Sequence, residues 1–164
     1  MTTGWRSGIG ETIRRGILAG TAGGLAEIIW LSLYASITGG DAAILARGVT
    51  TAAGVTALLP QAPVALGIGV HMAIAVSLGV VLAGLWQTLM QGGLRRSNRY
   101  GAMLATLAAI WAMNFLVVLP LVSPSFVHLV PFAVSLTSKL LFGLAAAETL
   151  RRCATAQAPA FEHA

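Results

Sequence analysis

The sequence predicts an all-α fold, a four-helix transmembrane bundle, and three observations lead there. Hydrophobic residues make up 57% of the 164-residue chain and charged residues only 9%. A water-soluble domain carries about 25% charged residues, so this surface is made for lipid. The apolar residues collect into four long runs, each of about 20 residues or more, enough to cross a hydrocarbon core. The arginines cluster at the ends of those runs rather than along a face, so the net charge of +5 is a topology signal and not a nucleic-acid surface.

Residues 1–15 form a polar N-terminal segment in which Trp5 can anchor at the headgroup level. The first span is expected over residues 16–37. Its length and its embedded Glu27 suit a retained spanning helix better than the short apolar core of a signal peptide. Gly16, Gly20 and Gly24 recur at four-residue spacing, which lets a neighbouring backbone approach closely. Glu27 follows Gly24 by three residues and Gly23 by four, so it shares that face and points at a helix rather than at lipid.

Residues 38–63 form the longest connection. Gly39-Gly40 ends the span and Asp41 can cap a new helix. The mixture of Ile44, Leu45 and Val49 with Arg47, Thr50 and Thr51 predicts a short interfacial helix in the first outer loop, broken at Gly54 and closed by Pro60. A half-inserted segment is the alternative. The second span is expected over 64–90, with His71 toward the end away from the arginines and a small face at Ala75, Gly79 and Ala83. The third is expected over 100–122, contains Asn114, and ends among Pro120, Ser123 and Pro124. The fourth is expected over 127–150, with Pro131 in its first turns and a small face at Ser135, Lys139, Gly143 and Ala147. The spans make one transmembrane domain, 16–150, followed by a polar tail, 151–164.

Arginine counts set the expected orientation. Arg6, Arg14, Arg15, Arg95, Arg96, Arg99, Arg151 and Arg152 flank one side, and only Arg47 lies in the other connections. The positive-inside rule then places both termini in the cytoplasm. Abundant alanine, glycine and arginine with a single lysine suggest a bacterial genome of high GC content, and hence the bacterial inner membrane.

The chemistry centres on Lys139, the one lysine of the chain, inside the fourth span. A charge there costs about 2.5–3.5 kcal/mol on insertion scales, so it calls for a partner. Glu27 and Lys139 each stand twelve residues from an arginine cluster, Arg15 and Arg151, or roughly 18 Å deep. Asn114 is fifteen residues from Arg99, or roughly 22 Å. Glu27, Lys139 and Asn114 are therefore expected to form an intramembrane polar network. Its structural reading is fixed helix register, and its functional reading is a proton or ion relay.

His71 and His128 are both expected near the outer face, where imidazoles on facing helices could hold a haem iron or another metal. No spacing motif supports them, so haem or quinone is an alternative occupant only. No phosphate-binding glycine loop, HExxH, CxxC or nucleophile elbow occurs, and no enzyme activity is expected.

The runs GVHMAIAVSLG, LPLVSPS and SKLLFGLAAAE, with the long first outer connection, resemble small uncharacterised bacterial four-span integral membrane proteins. The resemblance implies the four-span fold and brings no activity with it. The leading expectation for function is a non-catalytic accessory or assembly subunit of a larger membrane complex, respiratory or photosynthetic, with lipid and other membrane subunits as partners. A small oligomeric transporter or channel using the Glu27–Lys139 pair is the alternative, and a haem- or quinone-binding redox subunit is a third reading.

Overall fold

The computed structural model describes residues 3–156, with side chains described from Gly8 onward. The expected Trp5 anchor and the end of the tail lie outside that range. Among the described residues every regular element is helical: α1 (Thr3–Thr38), α2 (Ala42–Ala52), a short 3-10 helix (Thr56–Leu58), α3 (Pro63–Gln91), α4 (Arg96–Met113), a π-helical segment (Asn114–Val118), α5 (Leu119–Val122), α6 (Pro124–Val127) and α7 (Phe132–Thr155). Four stretches are long and apolar enough to cross a membrane, namely Gly8–Thr38, Pro63–Gln91, Arg96–Val122 and Phe132–Thr155.

Two boundaries differ from the expectation, each for a local reason. Helix α1 begins well before Gly16. Glu11 pairs with Arg14 and Arg15 one turn on, at 2.8 Å to each, which supports helix through the charged segment. The third span runs through Pro120 to Val122. Pro120 offers no N–H to the carbonyl of Leu116, and its ring crowds that carbonyl. The helix widens instead, and Leu119 N–H bonds to Asn114 O in a π turn before the chain continues to Val122. The fourth span starts at Phe132, not at residue 127. Pro131 adopts φ −55°, ψ 141°, an extended conformation that precedes the first helical residue. Residues 124–127 form the separate helix α6.

Helix α2 lies in the first connection. Asp41 caps it by accepting from Ala43 N at 2.8 Å. It stops at Gly54, whose φ of +69° suits glycine. It is seated on α3: Thr50, fully buried, donates to Pro63 O at 2.8 Å, and Gly67 lies under Ala46. A Cβ at Gly67 would stand 1.9 Å from the carbonyl oxygen of Ala46, against which neither backbone can yield. Gly67→Ala is therefore expected to unseat α2, read as faster proteolysis within 38–62. Gly69→Ala, with open space around its Cβ, should leave that rate unchanged.

The spanning helices pack in the lateral order α3, α1, α7, α4. Gly16, Gly20 and Gly24 of α1 receive Val80, Val76 and Met72 of α3, which makes the two antiparallel and closely packed. Gly23 of α1 receives the ring of Phe142 of α7, and Gly143 of α7 receives Leu107 of α4. The apolar core lies at the arginine end, where Leu82, Ala83, Trp86, Met103, Leu107, Phe142, Ala146 and Leu150 are buried together. At the opposite end the helices splay, and the space between them is a cavity.

Candidate functional site

The glycine spacing of α1 explains why a carboxylate is buried inside the bundle. Gly16, Gly20 and Gly24 face α3, whereas Gly23 and Glu27 face α7. The two stripes are adjacent, so Glu27 falls at the junction of three helices. On α7 the residues turned to α1 are Val134, Ser138 and Phe142, at four-residue spacing. Trp30 of α1 clamps the same interface by donating from Nε1 to Val134 O at 3.0 Å.

Glu27 is 2% exposed and has three partners. Lys139 Nζ lies 2.6 Å from Oε1, and Ser138 Oγ donates to Oε1 at 3.0 Å. His71 Nε2 stands 3.7 Å from Oε2 and 3.4 Å from the carbonyl of Gly24. Both neighbours of Nε2 are acceptors, so that nitrogen is the one positioned to carry a proton. The expected Glu27–Lys139 contact is present, and it joins the first span to the fourth.

Asn114 is on the same cavity but not in the hydrogen-bonded cluster. Trp111 donates from Nε1 to Ser135 Oγ at 2.9 Å, which sets the register between α4 and α7. Asn114, three residues beyond Trp111, is then level with the start of α7, about a turn or two past Lys139. Its side chain makes no hydrogen bond among the described residues. It opens the π turn, and its carbonyl accepts the π-type bond.

His71 stands at a different height from the one expected. Counting from Arg95 places it far from Glu27. However, α1 and α3 are offset: Thr12 donates to Gln87 at 3.0 Å, and Gly16 meets Val80. Arg15 is thus level with Val80 or Val81, roughly 15 Å short of the end of α3. The arginine clusters do not share one plane, and the offset brings His71 to Glu27. His71 and His128 are not brought together. His128 is exposed at the end of α6 and does not line the cavity. Among the described residues no three His, Cys, Asp or Glu side chains are grouped as a metal site would need.

The cluster is the polar floor of a cavity of about 500 Å³. Glu27, His71, Lys139 and Asn114 reach it, with Ser135 and Ser138 beside them. The walls are apolar, including Leu31, Val49, Ile68, Ile74, Phe115 and Phe126. Helix α2 and α6 contribute to the rim. Trp111 stacks on the wall residue Phe115 with ring centroids 5.7 Å apart, stiffening that side. No family model, curated protein or solved structure matches this chain.

Two features escaped the sequence reading. Ser138 has a signal in retrospect, because it shares the Val134–Phe142 stripe with which the large Phe142 fills Gly23. The cavity has none, because it results from the splay of the helices.

Proposed function

We propose that this chain is a small membrane transporter whose substrate site is the cavity at the splayed end. The observation that supports it is a buried carboxylate with its cationic partner, placed on the floor of an otherwise apolar cavity. Charges held within spanning helices mark substrate or ion pathways, and cavities with a few convergent polar groups are binding sites. The substrate class that fits is a mostly apolar molecule with one polar end. Lys139, 24% exposed by side chain and turned to the cavity, recognises that end, and Glu27 holds Lys139 in place. The close-packed core below the cavity closes the arginine end.

In this reading both termini are cytoplasmic, the membrane is the bacterial inner membrane, and α2 lies along the outer surface as part of the cavity rim. Uptake of a lipophilic substrate into liposomes containing the chain should fall at least tenfold in Lys139→Met and in Glu27→Gln. Flux equal to the parent chain in both variants would sink the proposal.

The accessory-subunit reading has one observation in its favour. The second and third spans are only 17% and 22% buried, against 33% and 39% for the first and fourth. Those faces would suit other subunits as well as lipid. Co-purification of a fixed set of membrane proteins from native membranes would favour that reading over the transporter.

A further inference from the structure

We propose that the cavity takes its substrate as an anion together with one proton, and that His71 holds that proton. The inference rests on the transporter reading and names its substrate class: an apolar molecule with a single negatively charged end.

The charge that the cavity can reach is positive. The side chain of Lys139 is 24% exposed, whereas that of Glu27 is 2% exposed. An ammonium has three donors. Lys139 Nζ lies 2.6 Å from Glu27 Oε1, and no second acceptor for it is present among the described residues. The rest of the ammonium is open to an acceptor from the cavity, and a charged acceptor makes the stronger bond. A cationic end has no such place, because Oε1 already accepts from Lys139 and Ser138 and Oε2 faces His71.

An anion alone would unbalance the floor. Glu27 and Lys139 cancel, so the empty floor is neutral when His71 is neutral. A bound anion would leave one uncompensated negative charge between apolar walls, which is costly. Among the described residues the titratable side chains that line the cavity are Glu27, His71 and Lys139. His71 is the one of the three that can restore neutrality, by taking a proton from water. Its place suits a positive charge, with Nε2 at 3.7 Å from Glu27 Oε2 and at 3.4 Å from Gly24 O. Nε2 carries the proton of the neutral ring, so Nδ1 receives the second one. Glu27 then has a cation on each oxygen, and Lys139 is released from balancing it alone. The floor sums to zero both empty and loaded.

The helices packed around His71 bring no further charge to it among the described residues. Helix α3 has no other titratable residue. From α1 the facing group is Glu27, since Tyr34 does not line the cavity, and from α7 it is Lys139. Beside α2, Arg47 pairs with Asp41 at 3.1 Å, and neither lines the cavity. Arg96, Arg99 and Tyr100 of α4 are in its first turns, at the arginine end.

The probe for the test is naphthalenesulfonate, which stays ionised, so a proton taken up on binding must go to the protein. Naphthalenemethanol is the neutral comparison. The full chain in an uncharged detergent is titrated by calorimetry in buffers of different ionisation heat, which counts protons, from mildly acidic to mildly alkaline pH. About one proton should enter with each sulfonate, and affinity should rise about tenfold per unit fall in pH while free His71 is neutral. Naphthalenemethanol should bind at least tenfold more weakly in acid and with no proton. His71→Gln should lose the proton and the pH dependence, and His128→Gln, off the cavity, should keep both. Should His71→Gln fail to fold, the parent chain still decides whether anion and proton bind together. Affinity that is flat with pH in the parent, or a full proton count in His71→Gln, would overturn the proposal. Sulfonate binding no tighter than the alcohol would overturn the anion. Liposomes containing the chain and a trapped pH dye separate this inference from the reading beneath it. Sulfonate uptake that acidifies the interior supports both. Uptake without acidification would refute the proton and leave the transporter. Proton-linked binding without uptake would keep the site and refute transport.

Discussion

Lys139→Ala is expected to destabilise the bundle by about 3–5 kcal/mol, measured by reversible unfolding in mixed micelles. The magnitude is that of removing one partner from a buried ion pair. Glu27 is 2% exposed and would keep only Ser138 and the more distant His71 to offset its charge. An exposed pair such as Arg47–Asp41 should by contrast cost under about 1 kcal/mol when broken. The instructive variant is the double substitution Glu27→Leu with Lys139→Met. It removes both charges and keeps volume, and buried pairs replaced in that way are often neutral or stabilising. Ser138 loses its acceptor, but its hydroxyl can turn to the carbonyl of Ser135 within its own helix. Stability should therefore recover to within about 1–2 kcal/mol of the parent. Transport should not recover, because the polar floor of the cavity is gone. Recovery of both would make the pair a structural clamp alone. A single Lys139→Ala that costs less than about 1 kcal/mol would refute the buried pair itself.

Gly79→Val is expected to part α1 from α3, with a loss of about 3 kcal/mol or more, at or beyond the upper range for overpacking. A Cβ at Gly79 would stand 2.4 Å from Gly16 O and 2.4 Å from the Cα and N of Gly20. All three contacts are backbone, so no rotamer can relieve them and the helices must separate. Gly16 and Gly20 meet α3 in the same way, at Val80 Cα and Ala75 O, both at 2.4 Å. The three glycines thus form one contact seen from both sides, and their substitutions should be strongly non-additive. Gly143 should tolerate alanine better, because its Cβ would meet Leu107 Cδ1 at 2.7 Å, the end of a flexible side chain. Gly84→Ala, with nothing within 4 Å, is the control and should be neutral or slightly stabilising by helix propensity. Comparable losses at Gly79 and Gly84 would show that glycine matters there for backbone freedom and not for contact.

Much of this architecture was legible from residue spacing. Four apolar runs have the length of spanning helices, and the small-residue ladder of α1 has its close contact on α3. Glu27 and Lys139 could be matched because Arg15 and Arg151 stand level on neighbouring helices, so equal counts meant equal heights. The same counting failed for His71, because α3 runs well past the level of Arg15 before it reaches Arg95. It failed less severely for Asn114, which shares the cavity but not the hydrogen bonds.

The sequence by itself determined which residues could not face lipid, because the cost of exposing a charge or wasting a glycine there is local and periodic. Only the tertiary structure decided which helix each of those residues faces. Lateral order depends on the competition among several small-residue stripes for several partners, and a stripe does not name its partner. The tertiary structure likewise decided that the bundle closes at the arginine end and opens at the other. Large side chains such as Phe142 and Trp86 fill one end, while at the other the chain widens into a π turn before Pro120 and Pro131 delays the start of α7. The cavity is the difference between those two ends, a sum over packing choices that no single segment carries.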